Sequence, residues 1–114
     1  MLFRSHVHPV YATALSLYDK YIEPLDAQGR RDLGVVPVIG SEVIDDVRDV
    51  LDDVVEALKA HRVIVVRGHG TFATGQLLHE AYGWTSILEE SCRILAITET
   101  LRTARGMGAA LTHC

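Results

Sequence analysis

The chain has 114 residues, 48% of them hydrophobic and 23% charged, with a formal net charge of -4. That length limits it to one domain, and the balance excludes a disordered chain. Eleven Lys and Arg, scattered and outnumbered by fifteen Asp and Glu, exclude the clustered basic footprint of a nucleic-acid binder. No apolar run approaches the ~20 residues of a membrane span, and residues 1–10 lack the apolar stretch of a signal peptide, so a cytoplasmic protein with no membrane partner is expected. Cys92 and Cys114 have no CxxC spacing and are expected to be reduced thiols, Cys92 as a small core residue.

In chain order, residues 1–7 predict a strand that Pro9 ends. Residues 10–18 carry Ala12, Leu15 and Leu17 among small residues and predict a short helix whose first turn follows the proline. Residues 19–34 mix Pro24, Gly29 and seven charged side chains, which predicts an irregular exposed connection. The β-branched run at residues 35–39, interrupted by Pro37, predicts an edge strand or a strand end.

Ser41 is expected to cap a helix whose start carries Glu42, Asp45 and Asp46 near the positive end of its dipole. Ile44, Val47, Leu51, Val54, Val55 and Leu58 recur at three- and four-residue steps and predict one buried stripe. Asp46, Asp49, Asp52 and Asp53 fall mainly off that stripe, which predicts a solvated face rather than a metal cluster. Val63-Ile64-Val65-Val66 is apolar on both faces and predicts a central buried strand. Gly68, Gly70 and Gly75 then allow a special turn around His69. Residues 76–102 predict a long helix with Leu77, Ala81, Trp84, Leu88, Cys92, Leu95 and Thr98 inward. On it, Tyr82 is expected to pack, and Glu89 and Arg93 are spaced for an exposed i,i+4 ion pair. The Gly- and Ala-rich tail, residues 106–114, is expected to fray.

The histidines carry the chemistry. Residues two apart in a strand project to one face, so His6 and His8 can address a single ion while Val7 turns away. Imidazole suits zinc and its neighbours, and three protein ligands with an open position form the usual catalytic arrangement. His69, at the end of the apolar strand and between glycines, is the best third donor. His61 falls at a helix end, His79 at an exposed helix position and His113 in the tail. Spacing alone leaves two alternatives open: exposed strand-end histidines, or one histidine buried and hydrogen-bonded. The glycine turn is not a Walker-type phosphate loop, because no GK[ST] follows.

His6-Val7-His8-Pro9-Val10-Tyr11-Ala12-Thr13-Ala14 resembles the HxHxxxATA segment of the class II aldolase and adducin family. Arg67-Gly68-His69-Gly70, continuing through Gly75 to Glu80-Ala81-Tyr82 and Leu88-Glu89, resembles that family's (N/G)HG…G…EA…LE block. Val36-Pro37-Val38 resembles its intervening VP(V/I) strand. The similarity extends over nearly the whole chain, most closely to the fuculose-phosphate aldolase-like members.

The resemblance implies a three-layer α/β/α fold with a mainly antiparallel central sheet, in a homotetramer with sites between subunits. It implies that His6, His8 and His69 bind a divalent metal, commonly zinc. It also implies an aldolase-type lyase cleaving a sugar phosphate through a metal-stabilised enediolate. A pentulose-phosphate epimerase or dehydratase would use the same histidines, and a non-catalytic adducin-like oligomerisation module is the reading from another class. Full-length members extend further before the first histidine pair, so residues 1–114 are expected to be one such domain with its N-terminal part missing. The phosphate-binding turns and the general-base glutamate have no match here. Tyr18 and Tyr21 lie near the loop of the family's acid tyrosine without matching its position, so the catalytic residues stay unassigned.

Overall fold

The computed structural model describes residues 3–106. It contains strands β1 (Phe3–Val7), β2 (Tyr21–Ile22), β3 (Val36–Ile39), β4 (Val63–Val66) and β5 (Gly70–Gly75). Helices α1 (Val10–Ser16), α2 (Ala27–Asp32), α3 (Leu51–Ala60) and α4 (Leu78–Ala104) complete it, with a 3-10 turn at Val47–Val50 before α3. The strands form one sheet in the order β1-β5-β4-β3-β2.

β4 is the central strand that its composition predicts, with all four residues buried. Its side chains alternate between two cores. Val63 and Val65 join Ala12, Ala73, Ala81, Leu88 and Cys92, which brings α1 and α4 to one face. Ile64 and Val66 join Val54 of α3 on the other. At about 1.5–3 kcal/mol for each buried aliphatic side chain, this strand anchors both faces.

The sheet is mixed, which corrects the expectation of a mainly antiparallel one. β4 pairs antiparallel with β5, and β5 with β1, but β3 and β4 run parallel. α3 lies in the crossover between them, the connection that a parallel pair requires. β3 is also an interior strand rather than an edge, flanked by β4 and by the two-residue β2. It tolerates Pro37 because its pairing with β4 begins one residue later, at Val38 opposite Val65.

Residues 19–34 are not an irregular connection: they hold β2 and α2. The Asp26 carboxylate accepts the Gly29 N–H at 2.9 Å and caps α2. Gly29 lets that helix approach α4, since a Cβ there would sit 2.2 Å from Ser91 Oγ and 2.6 Å from Pro24 Cβ. Residues 41–46 are not helical either, and Ser41 caps nothing. Asp46 caps the 3-10 turn, accepting the Arg48 N–H at 3.0 Å, and the helix proper starts at Leu51. The buried stripe is therefore Val47, Val50, Val54, Ala57 and Leu58, while Leu51 and Val55 face solvent. Asp49, Asp52 and Asp53 are exposed, as their spacing predicts.

α4 runs close to its predicted span, with Ala81, Leu88 and Cys92 fully buried and Leu77 exposed before its first turn. Glu89 is not engaged with Arg93; its partner is the backbone of α1. Residues 107–114, including His113, Cys114 and the tail expected to fray, lie outside the described residues. Among the described residues no helix is long and apolar enough to cross a membrane.

Candidate metal centre

β1 pairs with β5 so that His6 stands opposite Phe72 and Val7 opposite Thr71. β4 reaches β5 through the turn at residues 67–69, which carries His69. This hairpin sets His69 against the end of β1, and the three predicted histidines converge. His6, His8 and His69 each offer a ring nitrogen, all within 4.8 Å of one another, and could hold a metal ion. His6 and His8 are exposed and His69 is half-buried, so the cluster is open to solvent on one side.

The hydrogen bonds decide which nitrogens are free. His6 Nδ1 lies 2.9 Å from the Thr71 carbonyl oxygen, and His69 Nδ1 lies 3.0 Å from that of Ile44. A carbonyl only accepts, so both Nδ1 atoms carry the proton and both Nε2 atoms of the neutral rings present lone pairs. His8 Nε2 is 3.1 Å from His6 Nε2 and, since His6 carries its proton on Nδ1, is the donor of that contact. That spacing is close to the ~3.3 Å between neighbouring nitrogens around a tetrahedral zinc at ~2.05 Å. Carbonyls on the far ring nitrogens are the usual partners that orient metal-binding imidazoles. The donor set thus fits a divalent ion.

Ring packing adds orientation. The His6 ring stacks on Phe72 at 4.1 Å with 12° between planes, and on its other neighbour, His69, at 5.2 Å with 16°. Phe72 packs against the Ile64–Val66 core, so the stack rests on buried material.

Arg67 holds the turn. Its Nε donates to Gly40 O at 2.8 Å, and its Nη1 to Ser16 O at 2.5 Å and Asp19 O at 3.1 Å. Its backbone N–H donates to Ile39 O and its carbonyl accepts the Ile44 N–H, so Ile44 is held through both its N–H and its carbonyl. Ser16 Oγ accepts the Gly68 N–H at 2.9 Å and donates to Thr13 O, tying α1 to the same turn. Gly68 takes a φ of 66°, a conformation that suits glycine. At the end of the Ile44 loop, the Arg48 guanidinium and N–H hold the Asp46 carboxyl below the usual carboxylate range.

His61 ends α3 and His79 is exposed in the first turn of α4; neither joins the cluster. Tyr18 and Tyr21 are exposed. Tyr82, expected to pack, is instead 60% exposed and lines an open cleft of about 430 Å³ with Val7, His8, Pro9, Thr85, Glu89 and Glu90. The roles of Arg67, Ser16, Ile44 and Glu89 are hard to read from sequence because all four act on or through distant backbone. Glu89 did leave a signal: Pro9 offers α1 no capping side chain, so its first turn needs an acceptor from elsewhere.

Residues 4–96 match the family model described as the Class II Aldolase and Adducin N-terminal domain. The crystal structure of L-fuculose-1-phosphate aldolase from Thermus thermophilus superposes with a TM-score of 0.81 at 37% identity, over 89% of this chain and 55% of that one. YgbL from Escherichia coli, titled a putative aldolase/epimerase/decarboxylase, gives a TM-score of 0.70 at 26% identity, over 82% of this chain and 47% of that one. The decarboxylase NovR of Streptomyces niveus is 26% identical over 101 residues, 82% of this chain and 35% of its own length. The chain thus spans about half the length of these solved structures and about a third of that curated relative. With the family match running over most of its length and through all three histidines, the chain belongs to the class II aldolase and adducin N-terminal domain family.

Proposed function

We propose that this chain supplies the metal-binding part of an aldolase-type lyase site acting on a sugar phosphate, with His6, His8 and His69 as the ligands of a divalent ion, zinc by preference. The observation that carries this is the convergence of three ring nitrogens within 4.8 Å, two of the rings oriented by carbonyls. A bound divalent ion supplies Lewis acidity toward substrate oxygens. The chain's own part is to keep the Nε2 lone pairs of His6 and His69 directed inward, through Thr71 O and Ile44 O, and to leave the site open toward solvent. The substrate class is supported by the aldolase name of the 37% identical relative.

In this reading the whole protein is a three-layer α/β/α domain in a cytoplasmic homotetramer, and the base and phosphate-binding groups come from outside residues 3–106. Metal analysis of the chain, alone and with His6→Ala or His69→Ala, tests the centre. One equivalent of zinc or a similar ion, lost in either variant, is expected; carefully prepared wild-type protein that takes up none sinks the proposal. The NovR and YgbL names favour a second reading, decarboxylation or epimerisation at the same histidines. Product analysis across sugar phosphates and carboxylated substrates separates the two.

A further inference from the structure

Of the three histidines, His8 is the one least held by its own ring. His6 and His69 have Nδ1 bonded to a carbonyl, whereas His8 Nδ1 has no hydrogen-bond partner among the described residues. His8 also lies one residue past β1, beyond the last registered pair, Val7 opposite Thr71. Its direction is therefore set by the segments it joins.

On one side is the sheet. On the other is Pro9, whose ring restricts φ and which opens α1 without a capping side chain. The first-turn N–H groups have no acceptor within the helix. Glu89 of α4 supplies it: one carboxylate oxygen accepts the Tyr11 N–H at 3.0 Å and the other the Ala12 N–H at 2.9 Å, from 78 and 77 residues away. Each carboxylate oxygen thus takes one of two consecutive backbone N–H groups, which holds the turn at both ends of the carboxylate. Only His8, Pro9 and Val10 separate the registered Val7 from the clamped Tyr11.

We propose that Glu89 is a positioning residue of the metal centre: by clamping the first turn of α1 it fixes Pro9, and so the direction from which His8 Nε2 meets His6 Nε2. The consequence for metal binding rests on the three-histidine proposal above, but the effect on His8 exists in the metal-free protein too. A glutamate that only stabilises α1 would lower the melting temperature and leave the His8 ring where it is.

The test uses the full chain with Glu89→Ala, Glu89→Gln and, as a control one turn along the same helix, Cys92→Ala at a buried position that packs in the same core but makes no hydrogen bond to α1. Nitrogen-15 NMR of the imidazoles reads the His8–His6 contact without metal, and titration with cobalt(II) reads affinity and, by the visible spectrum, ligand geometry. In Glu89→Ala the His8–His6 ring contact is lost and cobalt affinity falls about tenfold or more, with an altered spectrum. Glu89→Gln, which keeps one acceptor oxygen, falls between and carries the test if the alanine variant does not fold. Cys92→Ala melts lower but keeps wild-type ring signals and cobalt affinity. Wild-type ring signals and affinity in folded Glu89→Ala or Glu89→Gln overturn the proposal, as does equal loss in Cys92→Ala. Wild-type protein that binds no cobalt overturns the metal reading instead, while the metal-free ring signals still decide the role of Glu89.

Discussion

The backbone of Gly70 approaches Val7 so closely that a Cβ on Gly70 would lie 2.4 Å from the Val7 carbonyl oxygen. The same Cβ would lie 2.6 Å from Cδ2 of His8, so this glycine is where β5 makes room for the histidine arm. Gly70→Ala is expected to push the end of β1 outward, costing about 1–3 kcal/mol as other overpacked sites do. It should also lower zinc affinity about tenfold or more. Urea unfolding and a metal titration check the two effects; a variant with unchanged affinity would show that the close approach does not shape the site.

Arg67 bridges carbonyls from two segments, Ser16 and Asp19 at the end of α1 and Gly40 after β3. Arg67→Ala leaves them without a charged donor, and a loss of about 2–4 kcal/mol is expected. Arg67→Lys should recover little, because an ammonium cannot reproduce the fork of donors. Hydrogen exchange over residues 66–70 should accelerate in both variants. Slow exchange there, with stability lost elsewhere, would locate the role of Arg67 away from the histidine turn.

Cys92 is fully buried, and burial, with Glu89, Asp19 and Asp26 nearby, pushes its thiol up to about 12 from 9.0. The unfolded chain releases this proton near 9 while the folded thiol retains it, so between about 9 and about 12 the folded state binds more protons and stability falls as pH rises. In a Cys114→Ser background, Cys92 should resist thiol reagents at pH 8 until the protein unfolds. Cys92→Ala should show a shallower loss of stability than the parent across the alkaline range. Equal slopes for the two proteins would refute the assignment.

If the histidine cluster binds zinc only in the folded state, zinc at about 100 times its dissociation constant adds about 2.7 kcal/mol of stability. That corresponds to a rise in Tm on the order of 10 °C for a domain of this size. EDTA should reverse the rise and His69→Ala should abolish it. A rise of the same size in His69→Ala would mean that zinc binds somewhere else.

Much of this architecture is legible in local pattern. Val63-Ile64-Val65-Val66 is apolar on both faces because it lies between two cores, and His6 and His8 share a face because a strand repeats every two residues. What escapes is what distant partners impose. The stripe from Ile44 to Leu58 predicts one helix, but the peptide groups around Ile44 are claimed by Arg67 and His69, so the helix waits until Leu51. α2 has a polar sequence, AQGRRD, and forms where Gly29 fits against Ser91 and Pro24. β5 is a Thr-Phe-Ala-Thr alternation between glycines, which read as a turn. The direction of β3 is not written in its residues at all, since a strand of either sense has the same alternation.

His6 and the Thr71 carbonyl that orients it are 65 residues apart in sequence, and they meet only through the β1–β5 ladder. Closing so long a loop is entropically unfavourable until the ladder and the core beneath it have formed. If the three imidazoles hold an ion as proposed, its capture is therefore a late event on the folding route, and a nascent chain exposing only its first two histidines would hold metal weakly. Metal occupancy then reports completed folding, and a variant that folds slowly would first betray itself as apoprotein.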